Sequence, residues 1–399
     1  MAAPSDPVDR YLELGLRLGR HLDGMGDAYY GPAHLAERVE TEPTRDLSAL
    51  VVDARGLVAD LDAGDGDLDP RRRSWLRAQS TGLHASARKL AGEELGYVDE
   101  VEQCYGVRPE WVDHEVVADA HRELDAVLPG GGAGSSLAER FEAWRETHLM
   151  TAEQLTDAVH ALADAFRERT AERFGLPEGE HVEFELVSDQ PWSGFNYYEG
   201  DLRSRVAINT DLPVSSTAVG HLVAHEAYPG HHTEHCRKEV GLVRRRRQLE
   251  ESIFLVGTPQ CLMAEGLADL AIDALLGSEH EPVLAEILRP LGIRYDTEVV
   301  AAVSSAAETL SSVRGNAALI LHDRGGSEDD AVAELQTWAL LSRDRARKSI
   351  SFLTHPTWRA YIFCYVAGLP LCRSFVDGDP VRFERLLDEQ FTPADLQLV

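Results

Sequence analysis

The chain has 399 residues, a length that suits two or three ordinary domains or one large helical fold. Asp and Glu number 68 against 39 Lys and Arg, and the resulting net charge of −29 predicts repulsion from phosphate backbones and anionic lipid surfaces. We therefore expect no nucleic-acid partner.

The N terminus and the cysteines indicate the location that the sequence predicts. The segment MAAPSDPVDRYLELG has no basic stretch followed by an apolar run, and no apolar stretch in the chain approaches the roughly 18 residues of a membrane span. The 5 cysteines are odd in number and lack paired spacing, which is typical of reduced thiols. These features predict a cytoplasmic protein with no membrane partner.

Helical patterns fill the first part of the chain. Apolar residues recur every three or four positions in segments such as VDRYLELGLRLGRHL and AEQLTDAVHALADAFRERTAERFG, which predicts amphipathic helices. We assign residues 1–175 to an N-terminal helical region and residues 176–399 to a region that contains the candidate site. The two regions are expected to form one compact unit.

A change of pattern predicts one small sheet. The segments HVEFELVSD, GFNYYEG and SRVAINT are rich in β-branched and aromatic residues, with a turn at Glu199–Asp201. The sheet ends at Asn209, after which Ser215 or Ser216 can cap a helix through TAVGHLVAHEAY. The remainder is helical again, with a capping box at Ser327–Asp330. The predicted class is mainly α, with a small β-sheet that precedes the motif helix.

The segment HEAYPGHH begins, at His225, like the H-E-x-x-H helix of zinc peptidases, but Pro229 stands where the second histidine belongs. On an ideal helix, residues six apart point about 120° away from each other, so His225 and His231 share no face. A bulge at Pro229 and Gly230 would take up two residues and turn His231 back. We expect His231 to be the second metal ligand, with His232 as the fallback ligand.

A catalytic zinc site needs a third protein ligand and an open position for water. Glu265 lies in the helical pattern MAEGLADLAID, and Asp269 falls one turn later on the same face. Glu265 is expected to complete a His, His, Glu set, and Asp269 to accept the free N–H of a ligating histidine. Glu226 would act on the water as general base.

Two other interpretations of these residues stay open. The histidines could form a polar helix face, with Glu265 paired to the arginines at 244–247, although a proline inside a plain helix costs roughly 3 kcal/mol. Cys236 or Cys261 could instead belong to a structural zinc site, but neither has C-x-x-C spacing.

Several segments resemble the bacterial family catalogued as domain of unknown function 885. They are HEAYPGHH, AEGLADL and AYIFCYVAGLPL, while DAYYGP resembles the actinobacterial members. That family is grouped with gluzincin-like metallopeptidases, so the resemblance implies a zincin-like fold with helical walls around a cleft and one zinc ion per chain. Other divalent metals also accept such N and O ligands. The family's Trp and Tyr after the glutamate are Leu267 and Leu270 here, a departure that affects the lining of the pocket.

The resemblance implies roles for single residues. It gives the metal-ligand role to the two histidines and the glutamate named above, and makes Glu226 the catalytic glutamate. Tyr365, in the family's Y-x-x-G segment, would stabilise the oxyanion. Because Tyr361 and Tyr365 lie four apart in an apolar run, a packing role for Tyr365 is the alternative. Asn209 would bind an extended substrate along a sheet edge, with a turn role as the alternative.

These patterns together predict a zinc metallopeptidase in which Glu226 moves the proton of a metal-activated water. A metal-dependent hydrolase of a small amide or ester is one alternative, and a non-catalytic metal-binding protein is another. A peptide or a small amide is accordingly the expected substrate. Arg314 and Asn316, in the helical segment VRGNAAL, and His322, in ILHDRG, are further polar residues that could face a cleft, with a structural role as the alternative for each.

Overall fold

The structure is a computed structural model that describes residues 6–22, 24–64, 68–131, 134–190, 192–211 and 213–397. Helices dominate these residues, so the predicted mainly α class is confirmed. The helices before the first long strands are α1 (Pro7–Gly19), α2 (Ala33–Thr41), α3 (Leu47–Ala63), α4 (Pro70–Leu90), α5 (Tyr97–Tyr105), α6 (His114–Val127), α7 (Leu137–Glu146) and α8 (Ala152–Arg173).

The strands and the later helices follow. The strands are β1 (Gly26–Tyr29), β2 (His181–Val187), β3 (Gly194–Gly200), β4 (Arg203–Asn209) and β5 (Ile253–Leu255). The helices are α9 (Val219–Glu226), α10 (His231–Lys238), α11 (Pro259–Leu276), α12 (Glu281–Leu288), α13 (Thr297–Ser311), α14 (Val313–His322), α15 (Glu328–Trp338), α16 (Arg343–Thr354), α17 (Ile362–Val376), α18 (Pro380–Asp388) and α19 (Pro393–Gln397).

The three predicted strands form one sheet in the order β2-β4-β3. Strand β4 is central: it pairs parallel with β2 and antiparallel with β3. The last residue of β4, Asn209, pairs with Val187 at the end of β2. The chain therefore leaves the middle of the sheet and passes directly into the segment that leads to α9.

A second sheet, which the sequence analysis did not predict, pairs β1 antiparallel with β5. The register shifts between Gly26 and Ala28, so Asp27 is the extra residue of a β-bulge. Strand β1 has 4 residues and β5 has 3, and segments this short show no clear alternation of apolar and polar residues. This is why sequence reasoning missed the sheet.

Strand β5 lies between two hydrophobic cores. Ile253 and Leu255 pack with α1, α3 and α4, among residues such as Tyr11 and Trp75. Phe254 packs into a larger core that extends from α5 to α19. Successive side chains of a strand point to opposite faces, so one short strand can contribute side chains to both cores. The helices α5 to α8 consequently share their core with the helices that follow the sheet.

Helices α11 and α17 touch through glycines. A Cβ atom added at Gly266 would lie 2.3 Å from the carbonyl oxygen of Gly368 and 2.8 Å from Cys372 Sγ. Only glycine permits such an approach of two backbones. The contact holds Glu265, on α11, beside Tyr361, which precedes α17.

Candidate metal centre

The motif segment is a break between two helices, where the sequence analysis expected a bulge inside one. Helix α9 ends at Glu226 and α10 begins at His231. Ala227 has non-helical backbone angles, and the N–H of Gly230 donates to Ala224 O at 2.9 Å, six residues back. A Cβ at Gly230 would lie 1.9 Å from His225 O, so the close approach of residue 230 to the backbone of α9 requires glycine.

The break brings the two predicted histidine ligands together with the predicted glutamate. His225 Nε2 lies 3.3 Å from Glu265 Oε2, and His231 Nε2 lies 3.9 Å from the same oxygen. The two imidazole rings stand at 88° to each other with centroids 4.7 Å apart. Glu265 Oε2 is buried and has no hydrogen-bond partner among the residues that the structure describes. One oxygen therefore faces two ring nitrogens without forming a hydrogen bond to either.

Glu226 lies beside the histidines. Ligand atoms of His225, Glu226 and His231 all lie within 4.8 Å of one another. Burial raises the pKa of Glu226 to about 7, with the charge of Glu265 acting in the same direction and that of His225 opposing it. A Cβ at Gly194 would lie 2.8 Å from Glu226 Oε1, so strand β3 leaves space beside the carboxylate only because this residue is glycine.

Asp269 orients the first histidine. Its Oδ1 lies 2.9 Å from His225 Nδ1, which leaves Nε2 directed toward Glu265. Burial alone would lower the pKa of His225, but the contacts with Asp269 and Glu265 raise it well above its usual value. His221, one turn before His225, lies at the rim, with its Nε2 3.8 Å from Asp269 Oδ1.

Two neighbouring tyrosines, Tyr361 and Tyr365, belong to the surroundings of Glu265. The hydroxyl of Tyr361 donates to Glu265 Oε1 at 2.6 Å. The ring of Tyr365 lies 5.6 Å from that of Tyr361, centroid to centroid, and 39% of Tyr365 is exposed. Desolvation of its phenol group, together with the charges of Glu265 and Glu226, raises the pKa of Tyr365 well above its usual value. Sequence reasoning assigned no contact to Tyr361; its spacing of four from Tyr365 was the available signal.

Asp27 is a second residue that sequence reasoning missed. It occupies the bulge of β1, a position that redirects a side chain out of the strand alternation. Burial, together with repulsion from Glu265 and Glu226, raises the pKa of Asp27 to about 7. Its carboxyl group therefore belongs to the electrostatic surroundings of the candidate site. The segment DAYYGP that contains it was the only signal in the sequence.

The fallback ligand His232 lies in a different environment. Its Nε2 is 2.9 Å from Glu180 Oε2 and its Nδ1 is 2.8 Å from Ser204 Oγ. The hydroxyl of Tyr228 also donates to Glu180 Oε2, at 2.6 Å. Burial by itself would raise the pKa of Glu180, but the hydrogen bonds from His232 and Tyr228 lower it to about 2. Both ring nitrogens of His232 are thus occupied by protein groups, and His231 alone of the two faces Glu265.

Asn209 has its side chain engaged in the adjacent turn. Its Nδ2 donates to Gln190 O at 2.9 Å and to Trp192 O at 2.8 Å, while its Oδ1 accepts from Asp211 N at 3.0 Å. The residue is buried at the end of the central strand, not at an edge. These contacts are those of a turn residue, the alternative that the sequence left open.

The arginines and cysteines of the two other interpretations contact residues outside the proposed ligand set. Arg244 pairs with Glu239 and Asp201. Cys236 Sγ contacts the ring of His232 at 3.5 Å, and Cys261 Sγ donates to Leu255 O at 3.3 Å. All five cysteines are buried free thiols. Among the described residues, the hydrogen bond and the close histidine contacts of Glu265 come from Tyr361, His225 and His231, and not from these arginines or cysteines.

No protein-family model and no curated protein matches the chain. Solved structures do match. A putative lipoprotein from Colwellia psychrerythraea aligns with a TM-score of 0.54 and 16% identity over 88% of this chain and 68% of that chain. A putative lipoprotein of unknown function from Shewanella oneidensis aligns with a TM-score of 0.49 and 13% identity over 98% of this chain and 82% of that chain. At such identities the likeness concerns the fold alone.

The comparison corrects the predicted location. Lipoproteins are anchored to membranes and usually lie outside the cytoplasm, so the match to the Colwellia protein contradicts the prediction of a cytoplasmic protein, which is wrong. That prediction rested on an N-terminal pattern and a cysteine count, and both are indirect signs of location. In the described part of the chain, every helix is too short or too polar to cross a membrane.

Proposed function

We propose that this protein is a zinc-dependent metallohydrolase of the peptidase type, with His225, His231 and Glu265 as metal ligands. The observation that supports this most is Glu265 Oε2, which is buried without a hydrogen-bond partner among the described residues and faces both imidazoles. Burying a carboxylate oxygen without a partner costs about 1–3 kcal/mol or more. A cation between the three side chains would remove that cost.

The donor set fits zinc. Two imidazoles and one carboxylate, with a position left for water, form a ligand set that catalytic zinc sites use. Ligand atoms about 2.1 Å from a tetrahedral ion are roughly 3.4 Å apart. The distances of 3.3 and 3.9 Å between Glu265 Oε2 and the histidine nitrogens are close to this value. Asp269, hydrogen-bonded to His225 Nδ1, supplies the outer partner that ligating histidines usually have.

The chain's own groups suit hydrolysis of an amide bond. Zinc at this position would supply a water of lowered pKa and polarise the substrate carbonyl. Glu226 would accept the proton of that water on its carboxylate and deliver it to the leaving nitrogen. The hydroxyl of Tyr365, uncharged and partly exposed beside the cluster, would donate to the oxyanion as it forms.

We also propose that the fold is zincin-like and that the chain is related to domain of unknown function 885. A sheet that leads into the His225-Glu226 helix and a downstream helix that contains Glu265 support this relation. The hydrophobic core shared by α5 to α8 and the later helices supports one compact unit formed by residues 1–175 and 176–399. The substrate that we propose is a peptide, with a small amide as the second choice.

The test begins with metal content and continues with hydrolysis. Protein purified without an affinity tag should contain about one zinc per chain by mass spectrometry, and should cleave members of a peptide library. Glu226→Gln should keep the metal and lose roughly 10²- to 10⁴-fold in rate. Glu115→Gln, which changes an exposed glutamate in the first turn of α6, is the matched control and should behave as the parent.

The outcomes separate the alternatives. Folded protein that takes up no divalent metal would contradict the proposal. Cleavage of small amides or esters without any peptide cleavage would keep the metal chemistry and change the substrate class. Bound metal together with hydrolysis that Glu226→Gln leaves intact would exclude the proposed role of Glu226.

A further inference from the structure

A second group of metal-ligating side chains lies on the solvent side of His225. Ligand atoms of His221, His225 and Asp269 all lie within 4.8 Å of one another. His221 Nε2 lies 3.8 Å from Asp269 Oδ1, which is too long for a hydrogen bond. The rings of His221 and His225 are 5.8 Å apart, centroid to centroid, and tilted by 37°. Two imidazoles and one carboxylate thus lie together here, as they do in the proposed metal centre.

Two packed helices with the same residue spacing produce this arrangement. His221 and His225 lie four residues apart on α9, and Glu265 and Asp269 lie four apart on α11. Residues four apart share one face of a helix, and α9 packs on α11. His225 and Glu265 therefore form an inner pair, with 3.3 Å between Nε2 and Oε2, and His221 and Asp269 form an outer pair one turn away.

The outer pair is open to solvent. Half of the His221 side chain is exposed, at 50%, and 16% of the Asp269 side chain, against 7% for Glu265. A metal ion in solution can therefore reach the outer pair without any movement of the inner pair. Because the outer pair supplies only two side chains, water must fill the remaining positions around the ion. Binding there is accordingly weaker than in the inner pair and requires excess metal.

An ion on the outer pair would compete with His225 for Asp269. Asp269 Oδ1 lies 2.9 Å from His225 Nδ1 and 3.8 Å from His221 Nε2, so one oxygen serves both histidines. An ion bound to that oxygen draws on the lone pairs that hold the ring of His225. Loss of such an outer partner usually costs about 10- to 100-fold in metal affinity or activity.

The outer pair is not half of a two-metal catalytic site. Ions in such sites lie about 3.5–4 Å apart and act on the same substrate atoms. His225 Nε2 faces Glu265, whereas its Nδ1 faces Asp269. The imidazole ring therefore lies between the two positions, and with metal–nitrogen bonds of about 2 Å the ions are too far apart to share a substrate oxygen.

We propose that His221 and Asp269 form a second, regulatory site for a divalent transition-metal ion such as zinc, which fills when the metal is in excess and slows the enzyme. Imidazole as a ligand favours such ions over magnesium and calcium. The binding of this ion follows from the geometry of the outer pair. Only its effect on the rate rests on the proposed function.

Equilibrium dialysis of the full chain against limiting and excess zinc chloride, followed by elemental mass spectrometry, tests the binding. The parent should hold about one ion at limiting zinc and about two in excess, and His221→Ala about one under both conditions. His221→Gln should behave like His221→Ala, and circular dichroism checks that both variants are folded. The matched control is His34→Ala, which removes an exposed histidine in the first turn of α2 and should match the parent.

Rates of peptide hydrolysis test the regulation. Excess zinc should slow the parent by roughly 10- to 100-fold and should not slow His221→Ala. Equal ion counts for the parent and both His221 variants in excess zinc would overturn the second site. Additional bound zinc without a change in rate would overturn its regulatory role. A single ion that the His221 variants lose would support the outer pair and contradict the proposed metal centre.

Discussion

Adjacent residues of one motif belong to two buried histidine–glutamate clusters with opposite properties. His232 and Glu180 form a cluster in which both ring nitrogens and the carboxylate have protein partners. His231 faces Glu265, whose Oε2 has no hydrogen-bond partner in the described part of the chain. The two clusters have the same residue types and similar burial. What distinguishes them is whether the protein itself completes the hydrogen bonds.

The charged and hydrogen-bonding groups around Glu180 also differ from those around Glu265. Glu180 is contacted by donors, including Arg167, and its pKa falls to about 2. Among the described residues Glu265 accepts one such hydrogen bond, from Tyr361, and its charge acts on the carboxyl groups of Glu226 and Asp27. A completed cluster stabilises the fold, whereas an incomplete acidic one is suited to a cation. Buried polar groups are therefore best assigned after their partners are counted.

The largest expected effect is on metal content, which should fall when one cluster is altered and stay constant when the other is. His225→Ala should reduce the metal content from about one ion per chain to nearly none, because it removes a proposed ligand. His232→Ala should keep the metal and lower the thermal stability, because it leaves Glu180 without one of its donors. Elemental mass spectrometry and thermal unfolding of both variants measure this. Equal loss of metal from both folded proteins would abolish the distinction.

The next effect concerns catalysis. Tyr365→Phe should lower kcat by roughly 10²- to 10³-fold while the metal content stays constant, because only an oxyanion donor is removed. The ring contact with Tyr361 is retained in this variant, so packing changes little. Steady-state kinetics on the peptide substrate found in the screen, alongside metal analysis, provide the measurement. An unchanged kcat would contradict the proposed role of Tyr365 in catalysis and leave it a packing role.

The completed cluster should show its contribution in stability. Glu180→Gln should lower the free energy of unfolding by roughly 3 kcal/mol at pH 7, since it breaks a buried network. The folded-state pKa of Glu180, about 2, lies below the ordinary value of about 4.3, so the stabilisation is complete above that ordinary value and disappears as the pH falls toward 2.

Urea denaturation of the parent and of Glu180→Gln at several pH values checks this sign. The difference between them should narrow below about pH 4. Glu178→Gln, at an exposed glutamate two positions earlier, is the control and should show no such difference. A gap that stays constant down to pH 2 would rule out the ionised Glu180 as its source.

The smallest expected effect concerns metal affinity and the hydrogen bond between Tyr361 and Glu265. Tyr361→Phe removes the hydrogen bond to Glu265 Oε1 and should weaken metal affinity by about 10- to 100-fold, as loss of an outer partner usually does. Competition with a chromogenic chelator measures the affinity, with Tyr365→Phe as the matched control. If both variants bind metal like the parent, Tyr361 has no part in holding Glu265.

Local signals in the sequence predicted much of the fold. The three strands of the first sheet, the turn at Glu199–Asp201 and the capping box at Ser327 all appear in the structure. Each depends on residues close together in the chain, where side-chain alternation and capping chemistry act directly. The same reasoning selected His225, His231 and Glu265, which the structure brings together.

Features that depend on distant contacts escaped sequence reasoning. The break after Glu226 requires Gly230 to lie against the backbone of the preceding helix, which no spacing rule describes. Asp27 approaches the cluster through a bulge in a strand of 4 residues, and Tyr361 through packing of α17 on α11. The sequence also predicted the wrong location. In each case the deciding information is tertiary or lies outside the motif.

The glycine contact between α11 and α17 bears on which ions the centre can accommodate. With Gly266 against Gly368, the two backbones cannot approach further, and tight packing around Cys372 resists separation. Glu265, next to Gly266, is thereby held beside Tyr361, whose hydroxyl donates to its Oε1. Calcium needs oxygen ligands at 2.3–2.6 Å and six or more of them, whereas zinc needs about 2.0–2.2 Å and four. The proposed set of two imidazoles and one carboxylate therefore suits zinc better than calcium.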